Sequence, residues 1–149
     1  MTQQLSEHPP LDEQSPGVRT HLELMQGVIE RMATNSRSCK VWCVTLAAAV
    51  LVLVARTGEA QHALIALVPT ALFLVLDSYY LALEEAFIAS YNNFVAKLHE
   101  GGLASSDLYA ISRTGSVPRL TLRSLLSFSI WPFYALMVTT ILLAWQVIL

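Results

Sequence analysis

The sequence predicts an all-α membrane protein with three transmembrane helices, the first two forming a long antiparallel hairpin that extends into the cytoplasm. Three observations carry that prediction. The 149-residue chain is 54% hydrophobic and only 13% charged, with a mean hydropathy of +0.52, too apolar for an ordinary soluble domain of this length. Its apolar residues gather into three stretches instead of being shared among many short elements, as expected of segments that sit in hydrocarbon. Of its nine Lys and Arg residues, all but Arg56 fall on one side of those stretches, the asymmetry that orients membrane proteins.

The first element is a tail, residues 1–17, "MTQQLSEHPPLDEQSPG". It is polar, faintly acidic and proline-containing, without the basic start and early apolar run of a secretory signal, so it is predicted to be disordered. Residues 18–99 form the hairpin. Leu22, Met25, Ile29 and Met32 recur at helical steps and lead into "VWCVTLAAAVLVLVA" at 41–55, so one helix is predicted over about Val18–Ala55. The apolar part alone reaches about 22 Å at helical rise, short for a bilayer, and makes sense as the end of a longer helix whose membrane span is about 41–57.

After a turn at Thr57–Gln61, the second span covers about 62–80, with Pro69 expected to kink it. Tyr80, Leu83, Phe87, Tyr91, Phe94 and Leu98 keep the helical spacing to about His99, where Gly101 and Gly102 should stop the helix. Residues 100–123 are read as a cytoplasmic loop, with Ser105 or Ser106 capping a brief turn, followed by a basic amphipathic lead-in. Arg119 and Arg123 share a face there, while Leu120, Leu122 and Leu126 can rest in the membrane interface. The third span occupies 124–149, with a second kink expected at Pro132.

Orientation follows from the basic residues. Arg19, Arg31, Arg37 and Lys40 precede the first span, and Lys97, Arg113, Arg119 and Arg123 lie between the second and third. This places the N-terminus and the 84–123 region in the cytoplasm, and the "RTGEAQH" turn and C-terminus outside. Trp42, Tyr79, Tyr80 and Trp131 then lie near the inner boundary and Trp145 near the outer one.

Three acids stand just past the second apolar stretch, in "LDSYYLALEEAF" at 76–87. Folding the chain about Thr57–Gln61 sets Ala55 level with Ala63 and Asp77 level with Val41, next to Lys40. The same register carries Glu84 and Glu85 towards Asn35, Thr34 and Arg31, and Arg37 towards Leu81. Lys40, Asp77, Arg31, Arg37, Glu84, Glu85 and Asn35 are therefore the candidates for charge pairing or gating. An unpaired Asp at mid-bilayer costs about 2.5–3.5 kcal/mol on insertion scales, which favours a partner at the interface. Two readings stay open. Asp77 marks the end of the lipid-facing stretch, with Glu84 and Glu85 on a solvated face, or acidic rings line an ion path in an oligomer.

The sequence offers no catalytic constellation and points away from an enzyme. His8, His21, His62 and His99 are scattered, and there is no glycine-rich phosphate cradle. Cys39 and Cys43 stand one helical turn apart without local partner ligands, so neither a metal nor a resident cofactor is expected, and a reducing cytoplasm disfavours a disulfide. Tyr109, Arg113, Arg119 and Arg123 are the ligand-binding candidates, since Arg supplies phosphate contacts and Tyr can stack on a base. The other reading of the same arginines is a headgroup anchor.

Taken together, "MQGVIERMATNSRSCKVW" at 25–42 and "LDSYYLALEEAFIASYNNF" at 76–94 resemble small bacterial membrane proteins of the SLATT family, in which an acidic-aromatic "D-x-Y-Y-L-x-x-E" pattern follows the second span. The resemblance covers about the first two-thirds of the chain and is nearest to the Hailong-type members of that group. The matching positions are Asn35, Ser36, Lys40 and Trp42, then Asp77, Tyr79, Tyr80, Leu81 and Glu84; Glu85 departs, standing where relatives often carry a base. The resemblance implies an anti-phage, abortive-infection effector in the bacterial inner membrane. It further implies a tetrameric channel controlled by a nucleotide or short single-stranded DNA, such as an oligodeoxyadenylate, made by a partner nucleotidyltransferase.

Two function classes follow. The first is a signal-gated oligomeric channel, favoured by short spans that need neighbours and by the small residues Ala47, Ala48 and Ala49, which permit close helix packing. The second is a non-conducting membrane scaffold that recruits a cytoplasmic partner through its helical extension. A channel predicts Thr45, Thr70 or Thr139 facing a common wet axis; a scaffold predicts a dry bundle. A transporter or membrane enzyme ranks below both, because neither repeated halves nor convergent catalytic groups are visible.

Overall fold

A computed structural model describes residues 11–113 and 115–148. Among them there is no strand; every regular element is helical. Helix α1 runs Pro16–Thr57, a 3₁₀ segment Ala60–Ala66 leads without interruption into α2, Leu67–His99, and a 3₁₀ turn at Ser105–Asp107 is followed by α3, Val117–Ser124, and α4, Trp131–Ile148. Pro16 opens α1, where its missing N–H goes unneeded. Gly58 closes the helix at φ 72°, its N–H donating to the Val54 carbonyl at 2.9 Å; that left-handed conformation is the one glycine adopts without a side-chain penalty. α1 and α2 then pack side by side as a hairpin.

Part of the expected tail is structured. Residues 1–10 lie outside the described residues, but Leu11 packs on the hydrophobic cluster at the base of the hairpin. The Ser15 hydroxyl donates to Asp12 at 2.8 Å, closing a turn before α1. The two prolines also act differently from the kinks expected. The chain is 3₁₀ up to Ala66, and Pro69 falls in the first turn of α2, where a missing N–H breaks nothing. Pro132 likewise stands second in α4. The turns at 125–130, closed by bonds such as Ser127 N–H to Ser124 and Ile130 N–H to Ser127, shorten the third apolar helix to 18 residues from the stretch 124–149. Continuing α through either proline would have left a carbonyl without a donor.

Packing divides the hairpin into two zones. At its base the side chains are large: Val18 and Met25 of α1 bury against Phe94 and Leu98 of α2, with Leu103, Leu108 and Ile111 folded over them. From Ser36 upward the seam is small. Ser36, Cys39, Cys43 and Ala47 of α1 are buried, as are Ala63, Ala66, Thr70, Asp77, Ser78, Ala82 and Ala86 of the returning strand of the hairpin. Small residues let two helix backbones approach closely. α4 closes this zone as a third helix, burying Ile130 and Tyr134 against Cys43 and Ile141 against Ala47 and Ala66. The spans Pro16–Thr57 and Ala60–His99 are each long and apolar enough to cross a membrane, and large apolar side chains such as Val41, Val52, Leu53, Val68, Leu72 and Val75 point outward.

Candidate functional site

The change from large to small seam residues coincides with Asp77, a buried acid that faces a cation. Ser36 and Lys40 are a helical turn apart on α1, so both reach the same point on α2, and that point is Asp77. The Ser36 hydroxyl donates to Asp77 Oδ1, and Lys40 Nζ lies 2.6 Å from Oδ2. Asp77 is fully buried, whereas the Lys40 side chain keeps 22% of its surface exposed. The Lys40 contact is electrostatic, for Oδ2 has no well-directed hydrogen bond. A carboxylate removed from water in this way persists only when it is paired.

α4 adds to the site. Tyr134 is 3% exposed, and its hydroxyl, which makes no well-formed hydrogen bond, lies close to Asp77. Cys39 and Cys43 are free thiols beside this cluster, and the Cys43 thiol approaches Thr70 Oγ1 at 3.9 Å. Among the described residues no group of three or more His, Cys, Asp and Glu is disposed to hold a metal.

The remaining charged candidates do not converge as the register predicted. Arg37 turns back along its own helix to Glu30, at 3.0 Å and with both partners exposed, so Glu84 has no ion-pair partner within 4 Å among the described residues. Burial, the largest influence, pushes the Glu84 carboxyl above its usual range; Arg37 and Lys40 oppose that and Glu85 and Glu30 add to it. Glu85 is exposed and Asn35 half-buried. Arg31 lies in a shallow groove beside Leu24, Val28 and Ile111, away from the acids of α2. Arg31 and Arg37 are both exposed, off the buried stripe that α1 turns to α2.

The ligand-binding candidates are likewise distributed over two places. Tyr109 sits at the base of the hairpin with φ 64°, a conformation uncommon for a residue with a side chain. Its backbone N–H donates to His21 Nδ1 at 2.9 Å. His21 is buried, 4.3 Å from the Phe94 ring, and burial pushes its pKa below 6.5 against the opposing pull of Asp107. Asp107 accepts the Ala104 N–H at 3.0 Å and lies 3.4 Å from Lys97. These bonds hold its carboxyl below its usual range. Around this clasp is a cavity of about 260 Å³ lined by His21, Asn93, Phe94, Lys97, Asp107 and Ser112. Arg119 and Arg123 stand instead on the exposed face of α3, and Arg113 is exposed in the loop before it.

No family model, curated protein or solved structure matches this chain. The buried Asp77, held by Ser36 and Lys40, is the centre of the site. The sequence names Ser36 as a matching position and Tyr109 as a ligand candidate but pairs neither with its partner here, Asp77 and His21. Tyr134 carried no signal, because it reaches the site through the docking of α4, and His21 and Tyr109 are separated by 88 residues. The threonines offered as pore markers divide as well. Thr70 is buried and bonded to the Ala66 carbonyl at 2.8 Å, while Thr45 and Thr139 lie on the outer surface, each bonded to its own helix.

Proposed function

We propose that the chain crosses the bacterial inner membrane three times and is the subunit of a homo-oligomeric, signal-gated pore that acts as an anti-phage effector. The observation that carries this reading is the fully buried Asp77 held by Ser36 and Lys40 at the lower end of two apolar segments. An ionisable group inside a transmembrane bundle is costly to retain and marks an ion path or a gate. Helix lengths support insertion. Residues 41–57 of α1 reach about 25 Å at 1.5 Å per residue. The 3₁₀ segment with residues 67–80 reaches about 35 Å because 3₁₀ rises about 2.0 Å per residue, and α4 reaches about 27 Å. The exposed Trp42, Tyr79 and Trp131 fit the inner headgroup belt, and the basic residues set the N-terminus inside.

The protomer has a closed, small-residue seam, so the conducting path in this reading runs between copies, where Thr45 and Thr139 face outward. The SLATT resemblance of 25–42 and 76–94 supports a cytoplasmic nucleotide or oligodeoxyadenylate as the signal, acting on the hairpin base and transmitted by a shift of α2 along α1 past the lock. The test is conductance of the purified protein in planar bilayers, with and without oligodeoxyadenylate on the N-terminal side. Discrete currents that the oligonucleotide suppresses or triggers, with altered open probability in Asp77→Asn, are expected. A folded oligomer that stays silent in every condition refutes the pore and leaves the scaffold.

A further inference from the structure

α3 has two unlike faces. Val117, Leu120, Thr121 and Ser124 turn inward, Ser124 fully buried, while Arg119, Leu122 and Arg123 turn outward. The outward face continues through the following turns: Leu122 is 69% exposed, Leu126 82%, Phe128 84% and Trp131 52%. A cluster of large, nearly bare apolar side chains beside two cations is not what a water-facing helix presents. The cations are also unanswered. From Leu108 to the C-terminus the sequence contains no Asp or Glu, and neither Arg119 nor Arg123 makes an ion pair within 4 Å among the described residues. The charged neighbours of half-buried Glu84 are Arg37, Glu85, Glu30 and Lys40, none of them on α3. Leu125 and Trp131 line one groove with Leu74 and Tyr134, which puts the C-terminal end of α3 one turn of α2 from Asp77.

We propose that α3 and the turns after it form an interfacial anchor for an anionic leaflet, with Arg119 and Arg123 on phospholipid phosphates and Leu122, Leu126, Phe128 and Trp131 in the acyl boundary. Nucleic acid would satisfy the arginines but leave Leu126 and Phe128 in water, whereas a bilayer surface takes both halves of the patch. This inference rests on the membrane reading above. Near an anionic surface each arginine is worth about fivefold in affinity, so the pair gives a preference of about 25-fold.

The test uses the full chain with Trp42→Phe and Trp145→Phe, leaving Trp131 as the sole reporter, in vesicles containing brominated phosphatidylglycerol or brominated phosphatidylcholine. Quenching at a much lower mole fraction of phosphatidylglycerol, with the preference lost in Arg119→Gln/Arg123→Gln, is the expected result. Equal quenching by both lipids overturns the anchor and leaves the membrane reading standing. Protein that fails to float with vesicles overturns both. Trp131 shielded from both lipids in floating protein, with Leu126→Cys crosslinking between copies, assigns the patch to self-association and also overturns the proposal.

Discussion

The Lys40–Asp77 pair makes an asymmetric prediction. Asp77 is fully buried and Lys40 keeps 22% of its side chain exposed, so removing one partner is not equivalent to removing the other. Lys40→Met strands a carboxylate with only the Ser36 hydroxyl, and breaking a buried pair in this way costs about 3–5 kcal/mol. Asp77→Asn keeps the Ser36 hydrogen bond, and Lys40 can extend its stem to place its ammonium in the headgroups. The cost should then be about 1–2 kcal/mol. The double variant has neither charge and should cost no more than Asp77→Asn alone, giving a coupling of about 3–5 kcal/mol. Reversible unfolding in mixed micelles, followed by far-UV circular dichroism, resolves this, since 1.4 kcal/mol is a factor of about ten in the equilibrium constant. Losses that add in the double variant, or a Lys40→Met no worse than Asp77→Asn, would show that the pair contributes nothing as a pair.

Two other titratable groups give expectations of opposite sign. His21 has a folded-state pKa below 6.5, so its contribution is complete above pH 6.5 and is lost as pH falls through the folded value. Protonating Nδ1 also removes the acceptor for the Tyr109 N–H. Hydrogen exchange at Tyr109, corrected for its intrinsic pH dependence, should accelerate as pH falls below 6.5; Asp107 and Lys97 are the charged groups that share its cavity, and His21→Phe should abolish the pH response. Glu84 is displaced the other way, its carboxyl raised by burial. Its ionisation therefore weakens the fold as pH rises from about 4.5 through the folded value, and Glu84→Gln should stabilise the hairpin at pH 7 and flatten that part of the pH profile. Unchanged stability at pH 7 would place Glu84 in water.

The hairpin was legible in the sequence because it is built from long repeats of one simple pattern. Met25, Leu83, Phe94 and Leu98 recur at helical spacing and are buried, and Gly101 ends α2 at φ 68°, the Gly102 N–H reaching back to the Lys97 carbonyl at 3.0 Å. The upper seam was hidden from the same reasoning. In an apolar segment every face looks alike, so hydrophobic periodicity cannot tell Ala47, which packs inward, from Val44 or Leu46, which point outward. Residue size held the missing information: Ser36, Cys39, Cys43 and Ala47 mark the contact stripe because they are small. Prolines misled for a related reason. In a uniformly apolar stretch Pro69 and Pro132 read as kinks, whereas each stands in the first turn of an α-helix.

The two packing zones also determine where the hairpin can yield. At the base, Met25 and Phe94 interlock with loop residues and with the His21–Tyr109 clasp, so sliding one helix past the other there requires repacking large side chains. Above Ser36 the facing residues are mostly small and the outstanding polar contacts are the Ser36 hydrogen bond and the Lys40 ion pair at Asp77. A smooth seam resists sliding weakly, and an ionic lock resists it only in the register where its partners meet. Motion originating at the base would therefore be opposed chiefly at Asp77, beside which the Tyr134 hydroxyl is also buried.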